Sequence, residues 1–318
     1  MDSPKTHIII VTYNAMKWAE KCFSSLRKSS VPVKTIVVDN GSTDGTQDYI
    51  QRNFPEIDFI QSPENLGFGK ANNLGIEKAY KEGADFFYLM NQDAWIFEDS
   101  IQKMIDVYEN YPNKGEIGII SPMHLDGSEQ KLDLHFENYL GKYAKNNRLI
   151  SDLYTENSKP YYEIDFVNAA HWFLPKQSIE EIGGFNPYFF YGAEDYDYIH
   201  RAKFHHKKVF IATQAKVVHD AFQGFLKPNH IDKEEARQES LRMQRETRYL
   251  NPNIVFDVKR EKKEFYSNII KLAIKGNHAE SKFYKEMFSF FKPKFETFEK
   301  LRKQVKNERH AFLNLEKS

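Results

Sequence analysis

Four side chains in this sequence have the chemistry to act on a phosphorylated substrate. They are Asp93, which follows the apolar segment 86–90, the adjacent pair Glu194 and Asp195, and the late residue His219. A carboxylate and an imidazole can bind a divalent metal ion, and another carboxylate can take the proton from an attacking hydroxyl group. These residue types predict a metal-assisted transfer from a nucleotide.

The chain around these residues alternates between short apolar runs and segments of helical spacing. The apolar runs are 7–12, 33–39, 57–61, 86–90 and 117–122, and the helical segments are 16–28, 44–53, 71–81 and 99–111. This alternation is typical of a mostly parallel α/β sheet flanked by helices. Ligands bind beyond the carboxyl ends of such strands. We therefore expect the polar loops that begin at Thr12, Asp39 and Asn91 to converge on one crevice.

The composition indicates a folded protein of a reducing compartment. The chain has 318 residues with 41% apolar and 15% aromatic content, enough for one large or two ordinary domains. Its single cysteine, Cys22, cannot form an internal disulfide bond. The amino terminus does not resemble a signal peptide, and no apolar run reaches the roughly 18 residues of a membrane span. We expect a cytoplasmic protein with no nucleic-acid partner.

Charge is distributed unevenly along the chain. Residues 259–318 hold 16 Lys and Arg against 8 Asp and Glu, which leaves 29 against 37 in residues 1–258. We predict a catalytic domain over 1–230 and a helical, basic C-terminal extension over 231–318. The extension could pack on the catalytic domain, form a homodimer, or bind peripherally to an anionic membrane at the inner face of the cell membrane.

Six motifs in order resemble the family 2 inverting glycosyltransferases of the GT-A fold, in the branch of bacterial polysaccharide enzymes and rhamnosyltransferases. The motifs are HIIIVTYN from His7, VVDNGSTDGT from Val37, NLGFGKANNLGI from Asn65, LMNQDA from Leu89, FFYGAEDYDYIHR from Phe189 and VVHD from Val217. Each motif alone is weak, but the ordered set is specific. The resemblance implies a Rossmann-like, mostly parallel sheet followed by the helical extension.

The first two motifs imply a pocket for the nucleoside of a nucleotide-sugar donor. By resemblance, Thr12, Tyr13 and Asn14 line the nucleoside. The carboxylate of Asp39, beside Asn40, accepts a hydrogen bond from the N–H of uracil or thymine. Without the resemblance, Asp39 is an ordinary turn residue that caps the next helix.

The third motif implies contacts to the ribose and phosphates of the donor. Gly67 permits close approach of the backbone to a ligand ahead of a helix amino terminus. By resemblance, Asn72 reaches the ribose or a phosphate. A glycine-containing loop of this kind is otherwise only a turn.

The fourth and sixth motifs imply a site for Mn²⁺ or Mg²⁺. The family has two acids separated by one residue, and here the first is replaced by Asn91, so one carboxylate is missing. Asp93 and His219 are the predicted metal ligands, while Asn91 and Gln92 line the same donor site. Diphosphate and water can complete the coordination of a hard divalent ion. As an isolated residue, His219 would be structural.

The fifth motif implies the catalytic base. By resemblance, Asp195 takes the proton of the acceptor hydroxyl, and Glu194 orients it or holds the acceptor. The plain alternative is two acids that complement a helix dipole. Trp172 lines the junction of donor and acceptor by resemblance, and a place in the hydrophobic core is an equally open reading.

The sequence therefore predicts an inverting glycosyltransferase that uses a nucleoside diphosphate sugar. UDP-hexose or UDP-N-acetylhexosamine is favoured over dTDP-rhamnose, and the acceptor is a glycan or a lipid-linked glycan. A catalytically inactive sugar-nucleotide-binding or scaffold protein is the rival, supported by Asn91. A nucleotidyltransferase would need a Gly-rich basic loop near the first strand, which VTYNAMKW lacks.

Overall fold

The computed structural model describes residues 4–144, 147–221 and 233–316. The chain divides into two compact units. One consists of residues 1–230 and 309–318, and the other of residues 231–308.

Residues 309–316 contact the first unit rather than continuing the extension. The backbone amide of Gly184 donates to the carbonyl of Ala311 at 2.9 Å, and the Asn73 side chain donates to the carbonyl of Phe312 at 3.3 Å. The second unit therefore ends at residue 308 and not at 318, where the predicted extension ends. The reason is that the carbonyls of Ala311 and Phe312 accept hydrogen bonds from the first unit.

A nine-stranded sheet lies at the centre of the described part of the first unit. Its strands are β1 (Thr6–Thr12), β2 (Val33–Asp39), β3 (Asp58–Gln61), β4 (Phe86–Asn91), β5 (Ala94–Ile96), β6 (Ile117–Leu125), β7 (Tyr161–Glu163), β8 (His171–Pro175) and β9 (Lys208–His219). The order is β3-β2-β1-β4-β8-β6-β9-β5, with β7 paired to β9. The block β3-β2-β1-β4 is parallel, and β8 joins it antiparallel to β4. The α/β class is as predicted.

Helices cover both faces of this sheet. They are α1 (Met16–Leu26), α2 (Thr46–Asn53), α3 (Phe68–Lys81), α4 (Ser100–Asn110), α5 (Leu134–Tyr143), α6 (Leu149–Tyr154), α7 (Lys176–Ile182) and α8 (Glu194–Phe204). Helix α1 shows the amphipathic pattern by which a helix packs on the sheet. Its buried face carries Ala19, Cys22, Phe23 and Leu26.

Side chains of the central strands alternate between two hydrophobic clusters, one on each face of the sheet. Ile9 and Leu89 belong to one cluster, whereas Ile8, Ile10 and Tyr88 belong to the other. Because both faces are covered, the strands are continuous apolar runs, as expected for buried parallel strands.

The segment 123–163, which we expected to be an irregular loop or hairpin, contains α5, α6 and β7. Asp133 caps α5, since its carboxylate accepts a hydrogen bond from the Phe136 amide at 2.8 Å. This segment therefore forms a defined wall of the first unit.

The second unit contains four helices in its described residues. They are α9 (Lys233–Leu250), α10 (Val258–Ile274), α11 (His278–Phe291) and α12 (Phe295–Asn307). Its core is aromatic, with Phe265, Phe291 and Phe298 buried. Across the described ranges of the whole chain, no helix combines the length and the hydropathy that crossing a bilayer requires.

Candidate active site

The carboxyl ends of β1, β2 and β4 lie side by side at one edge of the sheet. Thr12 pairs with Asp39, and Val11 pairs with Asn91. The loops after these residues border a cavity of about 760 Å³. The predicted site residues that line it are Tyr13, Asn40, Gly67, Asn91, Gln92, Asp93, Glu194 and Asp195. The predicted residues that do not line it are Thr12, Asn14, Asp39, Asn72, Trp172 and His219.

Asp39 is fully buried and organises the loop that follows β2. One carboxylate oxygen accepts hydrogen bonds from the amides of Gly41 and Ser42 and from the Gln47 side chain at 2.8–3.1 Å. The other accepts from the hydroxyls of Thr12 and Ser42. A nucleobase N–H would have to displace one of these five donors. The same network explains why Thr12 is buried.

Asn14 belongs to the same loop network and not to the cavity wall. Its backbone lies in the left-handed region with φ 53°, and its amide donates to the Ser42 hydroxyl at 2.9 Å. Its side-chain oxygen accepts from the Thr43 amide at 2.8 Å. Asn14 therefore joins the loop after β1 to the loop after β2.

Two amide side chains fix the rim of the cavity. Asn40 donates to Gly67 O at 3.2 Å and accepts from Leu66 N at 3.1 Å. Gln92 exchanges two hydrogen bonds with the backbone of Tyr13, at 2.7 and 3.1 Å. The Tyr13 ring is left half exposed at the rim, where it can contact a planar base.

Gly67 is required by its surroundings. Its φ of +78° lies in the left-handed region, and a Cβ there would come within 2.2 Å of the Phe190 carbonyl oxygen. Any side chain would push apart the two loops that form this wall of the cavity.

Asn72 and Trp172 are core residues. The Asn72 side chain is buried within α3 and donates to the carbonyl of Phe68 at 3.0 Å. Trp172 is fully buried and stacks on Phe185 with ring centroids 5.8 Å apart. Asn72 thus does not face a ribose or phosphate in this cavity. Trp172 lies in the hydrophobic core, one of the two alternatives from the sequence, because its strand is covered on both faces.

Asp93 and His219 meet because β5 pairs antiparallel with β9, which places His219 opposite Ala94. Asp93 Oδ1 lies 3.6 Å from His219 Nε2, and the Asn91 side-chain nitrogen lies 3.3 Å from the same Nε2. Asn91 Oδ1 is buried and finds no hydrogen-bond partner among the described residues. An unsatisfied oxygen beside a carboxylate and an imidazole fits a site that a cation and its ligand complete.

The protein supplies few metal ligands. In the ranges that the structure describes, no group of three or more His, Cys, Asp or Glu side chains is arranged to hold a metal ion. Asp93 and His219 are a two-residue donor set of carboxylate and imidazole. Such a set suits Mn²⁺ or Mg²⁺ only when diphosphate and water supply the remaining oxygens.

Asp133, a residue outside every motif, lies behind His219. Its Oδ2 is 3.8 Å from His219 Nδ1, and its side chain is buried. The two atoms are beyond hydrogen-bond distance, and His219 Nδ1 has no hydrogen-bond partner among the described residues, so Asp133 acts on the imidazole only through its nearby charge. The position of Asp133 before a helix was visible in the sequence, but its proximity to His219 arises only from the fold.

Two further buried histidines pack around His219. The rings of His124 and His171 are 6.2 and 6.3 Å from its ring. Burial lowers the pKa of His171 to about 3, and burial also holds the pKa of His124 well below its usual value. Both rings are therefore neutral near pH 7, so they support His219 without adding positive charge.

Glu194 and Asp195 form the first turn of α8 and face the cavity. Burial, together with the neighbouring charge of Glu194, raises the pKa of Asp195 to about 7. Burial also raises the pKa of Glu194, whose Oε2 has no hydrogen-bond partner in the described part of the chain. A carboxylate with a pKa near 7 is suited to accept a proton at neutral pH.

A buried ion pair anchors α8. Asp197 lies 2.8 Å from Arg201, and Arg201 also donates to the carbonyls of Ile182 and Gly184 at 2.7 and 2.6 Å. Asp197 therefore points away from the cavity. The i, i+4 spacing of an acid and an arginine in the sequence is the signal that could have identified this pair.

Exposed aromatic rings stand at the mouth of the cavity near α8. Phe190 and Tyr191 both line the cavity and are 58% and 81% exposed. Beside them, the Tyr196 ring stacks on Phe166 with centroids 3.9 Å apart. This mouth offers flat apolar faces next to the Asp195 carboxylate.

Comparison with known proteins identifies a family and relatives for this chain. The model of the family described as "Glycosyl transferase family 2" matches residues 7–182. An N-acetylglucosaminyl-diphospho-decaprenol L-rhamnosyltransferase of Mycobacterium tuberculosis is 25% identical over 210 residues, which cover 60% of this chain and 67% of the relative. The O-antigen chain rhamnosyltransferase WbaN of Salmonella anatum is 26% identical over 140 residues, covering 43% and 42%.

A solved structure shares the fold. Staphylococcus aureus TarS superposes with a TM-score of 0.53 at 15% identity, covering 86% of this chain and 43% of TarS. A shorter TarS piece, residues 1–349 in complex with UDP, gives a TM-score of 0.52 at 12% identity, covering 95% of this chain and 91% of the piece. The present chain thus covers less than half of the first of these two TarS chains.

The parallel block of the sheet, the match to the family model and the likeness to solved structures identify a glycosyltransferase of the GT-A fold. The chain belongs to glycosyl transferase family 2, whose model covers more than half of it.

Proposed function

We propose that this protein is a metal-dependent inverting glycosyltransferase. It would move a sugar from a uridine or thymidine diphosphate donor to a hydroxyl group of a glycan or lipid-linked glycan. The observation that carries this proposal is that Asp93 and Asp195 line one cavity, and that Asp195 has a pKa of about 7. One cavity therefore holds a carboxylate for the donor side and a base for the acceptor side.

The proposed reaction is a single displacement. Asp195 takes the proton of the acceptor hydroxyl, whose oxygen forms a bond to the anomeric carbon as the bond to the diphosphate breaks. The anomeric configuration is inverted, and the nucleoside diphosphate leaves with the bonding electron pair. Asp93 and His219 would hold Mn²⁺ or Mg²⁺, which when bound neutralises charge on the diphosphate.

Relatives support the donor class. Two of them are named rhamnosyltransferases, and TarS was solved with UDP. We therefore infer rhamnosyl or hexosyl transfer, with dTDP-rhamnose and UDP-hexoses as the donors to examine first. Acceptor binding at Phe190 and Tyr191 would be a stacking interaction, because a pyranose presents an apolar face that an aromatic ring can cover.

A catalytically inactive donor-binding protein is the second candidate. Asn91 at the position of the family's first acid, and a donor set of only Asp93 and His219, favour it. Retention of Asp195 at the cavity, with its raised pKa, favours catalysis. Turnover of donor separates the two candidates.

The first prediction concerns the nucleobase. The proposal requires Asp39 to exchange one of its five internal donors for the N3–H of uracil or thymine. UDP or dTDP should then bind about tenfold or more tightly than GDP in the presence of Mn²⁺, because the larger guanine cannot place an N–H at the same point and a lost hydrogen bond costs about 1–3 kcal/mol. Isothermal titration calorimetry on the three nucleotides measures this. Equal affinity for GDP would contradict the assignment of the base pocket.

A second prediction concerns Asp133. Asp133→Asn removes the charge behind His219 but keeps an oxygen that can cap α5. We expect Mn²⁺-dependent UDP affinity to fall by about tenfold or more, the cost of losing an outer partner of a metal ligand. The unfolding temperature should stay near wild type, since Asn caps helices as well as Asp does.

Asp48→Asn is the matched control for this experiment, because Asp48 is an exposed carboxylate in the same unit. Its UDP affinity should equal that of wild type. If Asp133→Asn also binds UDP as wild type does, Asp133 has no role in positioning His219.

A further inference from the structure

The outward face of α10 is apolar. Tyr266, Ile270 and Ile274 follow one another at intervals of four residues, so they share a face of the helix. Their side chains are 51%, 58% and 81% exposed, whereas Phe265, on the opposite side of the same helix, is buried in the core of the second unit. Three large apolar side chains on the solvent side of a helix indicate a binding surface rather than a solvated face.

The charges on α10 are those of a cationic surface. Its two acids are neutralised by arginines of α9, since Glu261 lies 2.7 Å from Arg248 and Glu264 lies 3.7 Å from Arg245. No ion pair within the described residues involves the lysines of α10. These are Lys259, Lys262, Lys263 and Lys271, followed by Lys275 at the first residue after the helix. The acids are thus paired inside the unit, and the positive charges stay available around the apolar face.

We propose that this face of α10 docks the second unit on an anionic lipid surface. The two isoleucines would enter the boundary between head groups and acyl chains, and the lysines would lie among anionic head groups. Tyr266 suits the same depth, because tyrosine places an apolar ring and a polar hydroxyl at the interface. The proposal does not depend on the donor, the metal or the base.

A second copy of the chain fits this face less well. A stable interface buries about 800 Å² on each partner, far more than three partly exposed side chains provide. A symmetric pairing would also bring the lysines of one α10 close to those of the other, where like charges repel. An anionic partner satisfies both the apolar face and the charges.

Vesicle sedimentation with the full chain tests the proposal. Wild type should bind vesicles of 70% phosphatidylcholine and 30% phosphatidylglycerol at least about tenfold more strongly than vesicles of phosphatidylcholine alone, and added salt should weaken this binding. The double variant Ile270→Ser with Ile274→Ser should lose at least about tenfold in binding, as should Lys263→Gln with Lys271→Gln. Tyr154→Ser is the control, because Tyr154 is a large side chain that is 89% exposed but lies on α6 in the first unit.

The outcomes are decisive in either direction. Unchanged circular dichroism and unchanged donor turnover in solution would show that the variants are folded, and their loss of vesicle binding would then support the proposal. The proposal would be overturned if wild type did not bind anionic vesicles, or if the variants bound them as strongly as wild type does. A shift from dimer to monomer in the isoleucine variant on size exclusion, without any loss of vesicle binding, would assign the face to a second copy instead.

Discussion

Asp195→Asn should lower the rate of sugar transfer by about 10²-fold or more and leave donor affinity close to wild type. Asparagine has nearly the shape of aspartate but cannot take the proton of the acceptor hydroxyl. The position at the first turn of α8, and the pKa of about 7, are those of a general base. Transfer rates at saturating donor, together with the donor dissociation constant, measure the two effects separately.

The pH dependence gives an independent check on the same carboxyl. The transfer rate of wild type should rise with pH through about 7 as Asp195 ionises. Because the pKa is raised in the folded state, the unfolding free energy of wild type relative to Asp195→Asn should fall as pH rises from about 4 to about 7. Glu194→Gln should have a smaller effect on rate. If Asp195→Asn kept full activity, the Asp195 carboxylate would only interact with the dipole of α8. That interaction stabilises a helix by about 0.3–1 kcal/mol.

Asp93→Ala should abolish most of the gain in UDP affinity that Mn²⁺ provides. The change removes both a metal ligand and a negative charge. Loss of a residue that only hydrogen-bonds to a metal ligand lowers metal affinity by about 10–100-fold, and we expect the effect of Asp93→Ala to be larger. His219→Ala should weaken binding less, because it removes a neutral ligand. Calorimetric titration of UDP with Mn²⁺ and with EDTA gives the metal-dependent part of the affinity for each variant.

Binding without metal is the internal control for these two variants. UDP affinity in EDTA should not fall below that of wild type for Asp93→Ala or His219→Ala, since the nucleoside contacts are intact and no metal is bound. Wild-type affinity that does not change between Mn²⁺ and EDTA would show that the Asp93 and His219 pair has no metal role.

The sequence predicted the fold well because apolar runs with polar ends are local features. The end of β1 at Thr12 and the end of β2 at Asp39 coincide with the predicted limits. The convergence of these loops with Asn91 followed from the geometry of parallel sheets, and the cavity lies at that edge. Eight of the fourteen candidate residues line the cavity for this reason.

The remaining candidates do not line the cavity, and sequence patterns alone could not predict this. Asp39 and Asn72 are polar residues in motifs, but a motif does not show whether a polar side chain faces a ligand or bonds to its neighbours. Asp39 accepts hydrogen bonds from its own loop, and Asn72 donates to the carbonyl of Phe68 one helical turn earlier. Trp172 is buried because helices cover both faces of its strand. Segment 123–163 lacks clear periodicity, so its helices and the place of Asp133 behind His219 arise only in the folded chain.

Turnover of a donor panel by the wild-type chain tests the proposed transferase activity most directly. UDP-glucose, UDP-N-acetylglucosamine, dTDP-rhamnose and GDP-mannose would be incubated with Mn²⁺ or with EDTA, and the released nucleoside diphosphate measured. We expect release from at least one uridine or thymidine donor, loss of that release in EDTA, and a large decrease in release by Asp195→Asn. Tight binding of UDP or dTDP with no release from any donor would contradict this expectation and identify an inactive sugar-nucleotide-binding protein.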